Sequence, residues 1–186
     1  MTDVIDAILN RASQPRLALP APDQATLDTV FECAARAPDH ALLRPWRYLV
    51  IEGQGLAALG EVFARTVDDP DNPLAGDKEK LRRSPLRAPM IIVGITCYKT
   101  HPKVPAIEQT MSSAVGLGYV SLALQSAGYG VMWRTGALAY HPLVHRALGL
   151  TEDEAIAGFL YVGTAESEKP SVPRPSVAEF VQRWPA

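Results

Sequence analysis

Apolar residues in this chain fall into blocks of two kinds, some spaced as on a helix and some nearly unbroken, and the two kinds alternate. Val4, Ile5, Ile8 and Leu9 predict a short helix over residues 2–10, behind a Thr or Asp cap. Leu27, Val30, Phe31 and Ala34 predict a second over residues 23–37, capped by Asp23 or Thr26 and ended by Pro38. The run WRYLVIE, residues 46–52, reads as the first strand. Gly53 and Gly55 then lead into an alanine-rich helix reaching about residue 66. VDDPDNPLAGD is loop-like, and residues 78–84 form a highly charged, exposed helix. Residues 88–97, APMIIVGITC, are apolar almost throughout, as in a strand buried on both faces. Further on, a strand over residues 129–133, a helix over 142–148 and a strand over 156–164 are expected. The tail from Ala165 is polar and Pro-rich, with residues 177–184 docking as a final segment.

The longest element is the helix expected over residues 105–128, about 36 Å at 1.5 Å per residue. Pro105 and Glu108 suit its start and Gly128 its end. Residues 111–124 carry no charge on any face, which predicts burial nearly all round. Ser112, Ser113, Ala114, Gly116, Gly118, Ser121 and Ala123 are small enough to let another backbone approach. Interior glycines cost roughly 1 kcal/mol each against alanine. Close packing on a second helix, in this chain or a partner, offsets that cost. The uncharged run is shorter than the ~20 residues of a membrane span.

Strands and helices therefore alternate with helix in excess, which is α+β or α/β: a small sheet covered by helices, in a single domain over residues 1–186. At 186 residues, 47% hydrophobic and 20% charged, the chain is long and apolar enough for a substantial core. A net charge of −2 gives no general attraction to nucleic acid or anionic membrane. Two cysteines, Cys33 and Cys97, are too few for a disulfide framework. The acidic MTDVIDAILN is unlike a signal peptide, and the cytoplasm is the expected compartment.

No P-loop, no G-x-G-x-x-G after a strand, no G-x-S-x-G and no H-E-x-x-H occurs. His141 and His145 stand four apart, but Pro142 starts the helix between them, which predicts two exposed histidines rather than metal ligands. Three basic clusters remain. Arg11, Ser13 and Arg16 offer forked cations and a hydroxyl suited to a phosphate. Arg36, Asp39 and His40 lie at a helix-to-loop break before Pro45-Trp46. Arg134 and Thr135 follow strand residue Trp133, at a strand end opening into a loop.

In combination these blocks resemble the nitroreductase family, nearest to its short YdjA-like branch of NAD(P)H nitroreductases. The resemblance rests on Arg11-x-Ser13-x-x-Arg16, Ala37-Pro38-Asp39-His40 with Pro45-Trp46, Lys103-Val104-Pro105 with Glu108-Gln109, and Gly130-x-x-Trp133-Arg134-Thr135-Gly136. It implies an α+β fold with a mostly antiparallel sheet, an intertwined homodimer, and FMN bound between the subunits. It carries Arg11, Ala12 and Ser13 over as contacts to the FMN phosphate and ribityl chain. Arg36 and His40 would reach the flavin from the neighbouring subunit, and Trp133, Arg134 and Thr135 would lie along the cofactor. The implied reaction is ping-pong: NAD(P)H reduces the flavin at N5, and the flavin reduces a small nitroaromatic, quinone or similar acceptor. The alternative is a flavin-binding or interaction protein without catalysis. No side chain is assigned as a general acid, since the flavin carries the chemistry. The chain departs from the pattern at Ala12, where an arginine is usual, and at Asp39, Leu42 and Arg44.

Overall fold

The computed structural model describes residues 4–167 and 173–185. Five strands, β1 (Leu17–Ala18), β2 (Trp46–Glu52), β3 (Met90–Cys97), β4 (Gly130–Arg134) and β5 (Glu154–Ala165), form one antiparallel sheet. Its order is β1-β5-β3-β2, and β4 also pairs with β5, making β5 the hub. Helices cover both faces. The helices α2 (Gln24–Ala34) and α5 (Ala106–Ser126) pack on one face with Met90, Ile92, Leu160 and Val162. On the other lie α3 (Gln54–Arg65), α6 (Ala137–Tyr140) and α7 (Pro142–Ala147), with Ile91, Val93 and Phe159. Successive side chains of a strand point to opposite faces, so a strand covered on both must be apolar at every position. That is why β3 reads as an unbroken apolar run.

Short helices complete the chain: α1 (Val4–Leu9) at its start and α4 (Lys78–Arg83) after α3, followed by a 3-10 turn over Ser84–Arg87. Asp23 caps α2, its carboxylate accepting the Thr26 N–H at 2.9 Å. Between Gly94 and Ile95 the β3–β5 register shifts, leaving Ala157 as the extra residue of a bulge.

Arg47 of β2 reaches across the sheet to Glu154 of β5 with two hydrogen bonds of 2.6 and 2.7 Å, and the Cys97 thiol of β3 donates to the same carboxylate at 3.3 Å. Three strands are thus tied at one end. The Arg47 bond holds the Glu154 carboxyl down at about 2, against an ordinary 4.5. A depressed carboxyl stabilises the fold fully above its unfolded pKa, and that stability is lost as pH falls through the folded value. Arg47→Met is therefore expected to cost about 1–2 kcal/mol near pH 7. It should also flatten the fall in urea midpoint between pH 5 and pH 2.5. An unchanged acid profile would show that the pair contributes nothing to folding.

α5 corrects one expectation. Gln109, Ser112, Ser113, Gly116, Leu117, Val120, Ser121 and Leu124 are buried, but Ile107, Met111 and Val115 form an exposed apolar stripe four residues apart. Burial all round is not achieved within one chain. The docking expected of residues 177–184 is not seen either: Val177, Phe180, Val181 and Trp184 are exposed, Trp184 at 95%. The apolar side of α1 is likewise open, with Val4, Ile5, Ile8 and Leu9 all exposed.

Candidate functional site

The coil after α1 is strapped to the core through its backbone. Ala12 N–H donates to Gln125 Oε1 near the end of α5 at 3.3 Å, and Gln14 N–H donates to the Val131 carbonyl of β4 at 3.0 Å. The second bond brings the Arg11-Ala12-Ser13 segment beside the strand that ends in Trp133-Arg134. From further along the chain, the Arg174 guanidinium donates to the Arg11 carbonyl at 3.1 Å.

Strand alternation sends Trp133 and Arg134 to opposite faces. Trp133 lies over Gly158, where any Cβ would collide with the indole, so glycine is required there. Arg134 turns toward α3 and α4 and stacks its guanidinium 5.2 Å from the centre of the Tyr161 ring. One of its terminal nitrogens donates to Met132 Sδ at 3.4 Å, while its buried Nε has no hydrogen-bond partner. Burial pushes the Tyr161 phenol up, opposed by the charge on Arg134.

Arg134 and Thr135 line a cavity of about 560 Å³, with Lys80, Ser84 and Arg87 on its polar side and Phe63, Phe159 and Tyr161 on its apolar side. A neighbouring cavity of about 380 Å³ is lined by Pro15, Arg16, Leu17, Leu86, Arg87 and Glu166. Arg87 belongs to both and so connects the Arg16 loop with the Arg134 corner. Sequence reasoning missed it because Arg87 lies beyond the charged helix expected over residues 78–84, in a stretch to which no role was given. The available signal was a basic residue placed just before a buried strand. Lys80, Tyr161 and Arg174 were missed as well.

Arg36 and His40 are not brought to this cavity by their own chain. Arg36 lines a separate cavity of about 750 Å³ with Glu32, Arg44 and Trp46, and the two cavities share no lining residue. His40 Nδ1 sits 2.7 Å from Glu108 Oε2 at the start of α5. The loop that follows His40 is strained: Ala41, Leu42 and Arg44 have φ of 62°, 52° and 48°, left-handed values that non-glycine residues rarely adopt. Tethers hold it. Asp39 accepts the Arg44 N–H at 2.5 Å, and Lys99 Nζ donates to the Leu43 carbonyl at 2.5 Å. Two departures from the family pattern, Asp39 and Arg44, are thus bonded to each other.

The expectation of two exposed histidines fails at His141. It is buried, accepts the Leu143 N–H at Nδ1 as the cap of α7, and donates from Nε2 to the Asn72 carbonyl. His145 is half-buried on the Ala139 carbonyl.

Among arginines, Arg47 and Arg82 pair with carboxylates, whereas Arg11, Arg16, Arg87 and Arg134 form no ion pair among the described residues. Cations without an ion pair thus stand on the Arg11 coil and around two cavities that share Arg87, one of them walled by Phe63, Phe159 and Tyr161. Residues 8–164 match the model of the nitroreductase family, and the chain belongs to that family of enzymes. It is 37% identical over 180 residues to "Putative NAD(P)H nitroreductase YdjA" of Escherichia coli (strain K12), covering 94% of this chain and 96% of that protein. A nitroreductase-like family protein from Bacillus cereus superposes with a TM-score of 0.84 at 21% identity, over 100% of this chain and 98% of the other. The FMN and NADPH-dependent nitroreductase NfnB from Sphigopyxis sp. strain HMH superposes with a TM-score of 0.77 at 21% identity, over 98% and 99%. These structures establish the fold as nitroreductase-like. No helix among the described residues is long and apolar enough to cross a membrane.

Proposed function

We propose that this chain is a cytoplasmic, homodimeric FMN-dependent oxidoreductase that takes electrons from NAD(P)H and passes them to a nitroaromatic, quinone or similar electrophile. The observation that carries this reading is the Gln14–Val131 bond, which sets the Arg11–Ser13 segment beside the Trp133–Thr135 corner. In this reading the Arg11–Ser13 coil is the phosphate end and the Trp133–Thr135 corner the ring end. Bound FMN supplies hydride acceptance and electron transfer.

The chain's own residues do the rest. Arg11 and the Ser13 hydroxyl hold the phosphate and the sugar-alcohol chain. The coil carrying them is fixed by backbone bonds, so little order is lost on binding. Arg134 and Arg87 place positive charge at the ring end, where negative charge grows on reduction, and Arg134 is held in position by Tyr161. Its unpartnered Nε is a donor that a ring carbonyl or nitrogen satisfies. Arg36 and His40, remote within one chain, meet the cofactor from a second copy. Symmetric pairing through the exposed α5 stripe, α1 and the C-terminal segment also covers their apolar surface.

The test is direct. Protein loaded with FMN is mixed anaerobically with NADH or NADPH, and then with a nitroaromatic or quinone. Bleaching of the visible flavin absorbance, followed by its return, is the expected result. A flavin that stays oxidised with both donors would leave a non-catalytic flavin protein. Failure to take up FMN would reject the cofactor reading altogether.

A further inference from the structure

We propose that His141 is a positioning residue for the 560 Å³ cavity, a clasp that fixes the distance between its two walls; this rests on the reading of that cavity as the flavin site. One wall is the Arg134-Thr135-Gly136 corner with Leu138 of α6, and the other includes Gly76 and Asp77. His141 stands at the α6–α7 junction, three residues beyond Leu138. Its Nε2–H donates at 2.8 Å to the carbonyl of Asn72, four residues before Gly76. Among the described residues this is the hydrogen bond that ties the 69–77 segment to the α6–α7 side.

The imidazole is held at both ends. Nδ1 accepts the Leu143 N–H at 3.2 Å, so the ring proton sits on Nε2 and is directed at the Asn72 carbonyl. Asp69 Oδ2 lies 3.7 Å from the same nitrogen, in a pocket that leaves the histidine side chain no exposure. Oδ1 of Asp69 accepts the Asp71 N–H at 3.1 Å and shapes the turn presenting Asn72. The segment's remaining ties stay on its own side: Leu74 N–H to the Thr66 carbonyl at its base, and Asp77 accepting the Glu79 and Lys80 N–H groups as the cap of α4. Neither reaches across the cavity. A capping residue needs only a short acceptor, and a surface loop rarely receives a wholly buried histidine, so the second bond is what demands an imidazole here.

The two functions separate chemically. In His141→Asn the amide oxygen replaces Nδ1 and keeps the cap, but nothing reaches Asn72. In His141→Gln the amide nitrogen takes the place of Nε2, retaining the clasp and losing the cap. Hydrogen exchange of residues 69–77, FMN affinity and Tm are measured for the full-length protein and both variants. Expected for His141→Asn are exchange in that segment roughly tenfold faster and FMN affinity several-fold weaker, with the Gln variant near wild type in both. Leu59→Ala, a core change elsewhere on α3, lowers Tm as a control without moving either readout. Exchange that follows Tm across the variants, or wild-type exchange and affinity in His141→Asn, would overturn the clasp. If the wild-type protein takes up no FMN, the cofactor reading fails, and the exchange comparison still decides the role of His141.

Discussion

Arg11→Ala is expected to weaken FMN binding about 10- to 100-fold while leaving riboflavin affinity unchanged. The estimate follows from losing one charge-assisted hydrogen bond to a phosphate, worth ~1.5–3 kcal/mol. Ala12 stands where the family resemblance leads one to expect an arginine, so on the proposed reading Arg11 would carry a larger share of the phosphate charge. The substitution should not disturb the fold. The coil is held by the Ala12 and Gln14 amides and by the Arg174 bond to the Arg11 carbonyl, none of which uses the Arg11 side chain. Titrating flavin fluorescence with FMN and with riboflavin separates the cases. Equal weakening of both ligands would move Arg11 from the phosphate to the ring or the sugar chain. No weakening of either would remove it from the site.

The fold was legible where local pattern and burial agree. β3 stands out because helices cover both faces of the sheet there, which leaves nearly no polar position along it, whereas β2, at the sheet edge, is legible from its aromatic and branched residues despite Arg47 and Glu52. β1 was invisible: two residues carry no period, and Leu17–Ala18 is a strand only because Ala165 and Thr164 lie opposite. The 3-10 turn at His40–Leu42 was read as loop, since its left-handed residues are imposed by the Asp39 and Lys99 tethers and not by local preference. The Arg11, Ser13, Arg134 and Thr135 readings drew on motif order; in the structure Gln14, just after the first of these segments, bonds to Val131 of the strand that carries the second. Arg87 and His141 escaped because their roles come from tertiary placement. A lone arginine ahead of a strand and a histidine pair look the same in sequence whether or not a cavity lies beside them.

α5 shows how a correct composition reading can still miss its partner. Its small residues serve two different neighbours, and leucine at two of them should therefore have opposite consequences. At Gly116 a Cβ would lie 2.7 Å from the Tyr48 hydroxyl and 3.3 Å from the Ala34 carbonyl, so α2 and β2 of the same chain are the close neighbours. Gly116→Leu must push a whole side chain into that crossing, against a backbone atom that cannot rotate away. A loss of ~3 kcal/mol or more is expected, visible as a large fall in Tm and in soluble yield. Around Gly118 nothing lies within 4 Å, so Gly118→Leu fits a single chain and gains about 1 kcal/mol of helix propensity. In the proposed dimer, the space beside Gly118, with the exposed Ile107, Met111 and Val115 stripe on the same helix, is where a second copy would pack. Gly118→Leu is expected to give a folded monomer that has lost FMN, because Arg36 and His40 then have no partner site to complete. Light scattering and retained flavin absorbance read the two effects separately. A monomer that keeps FMN would show that one chain suffices for the cofactor, and an intact dimer would place Gly118 outside the interface.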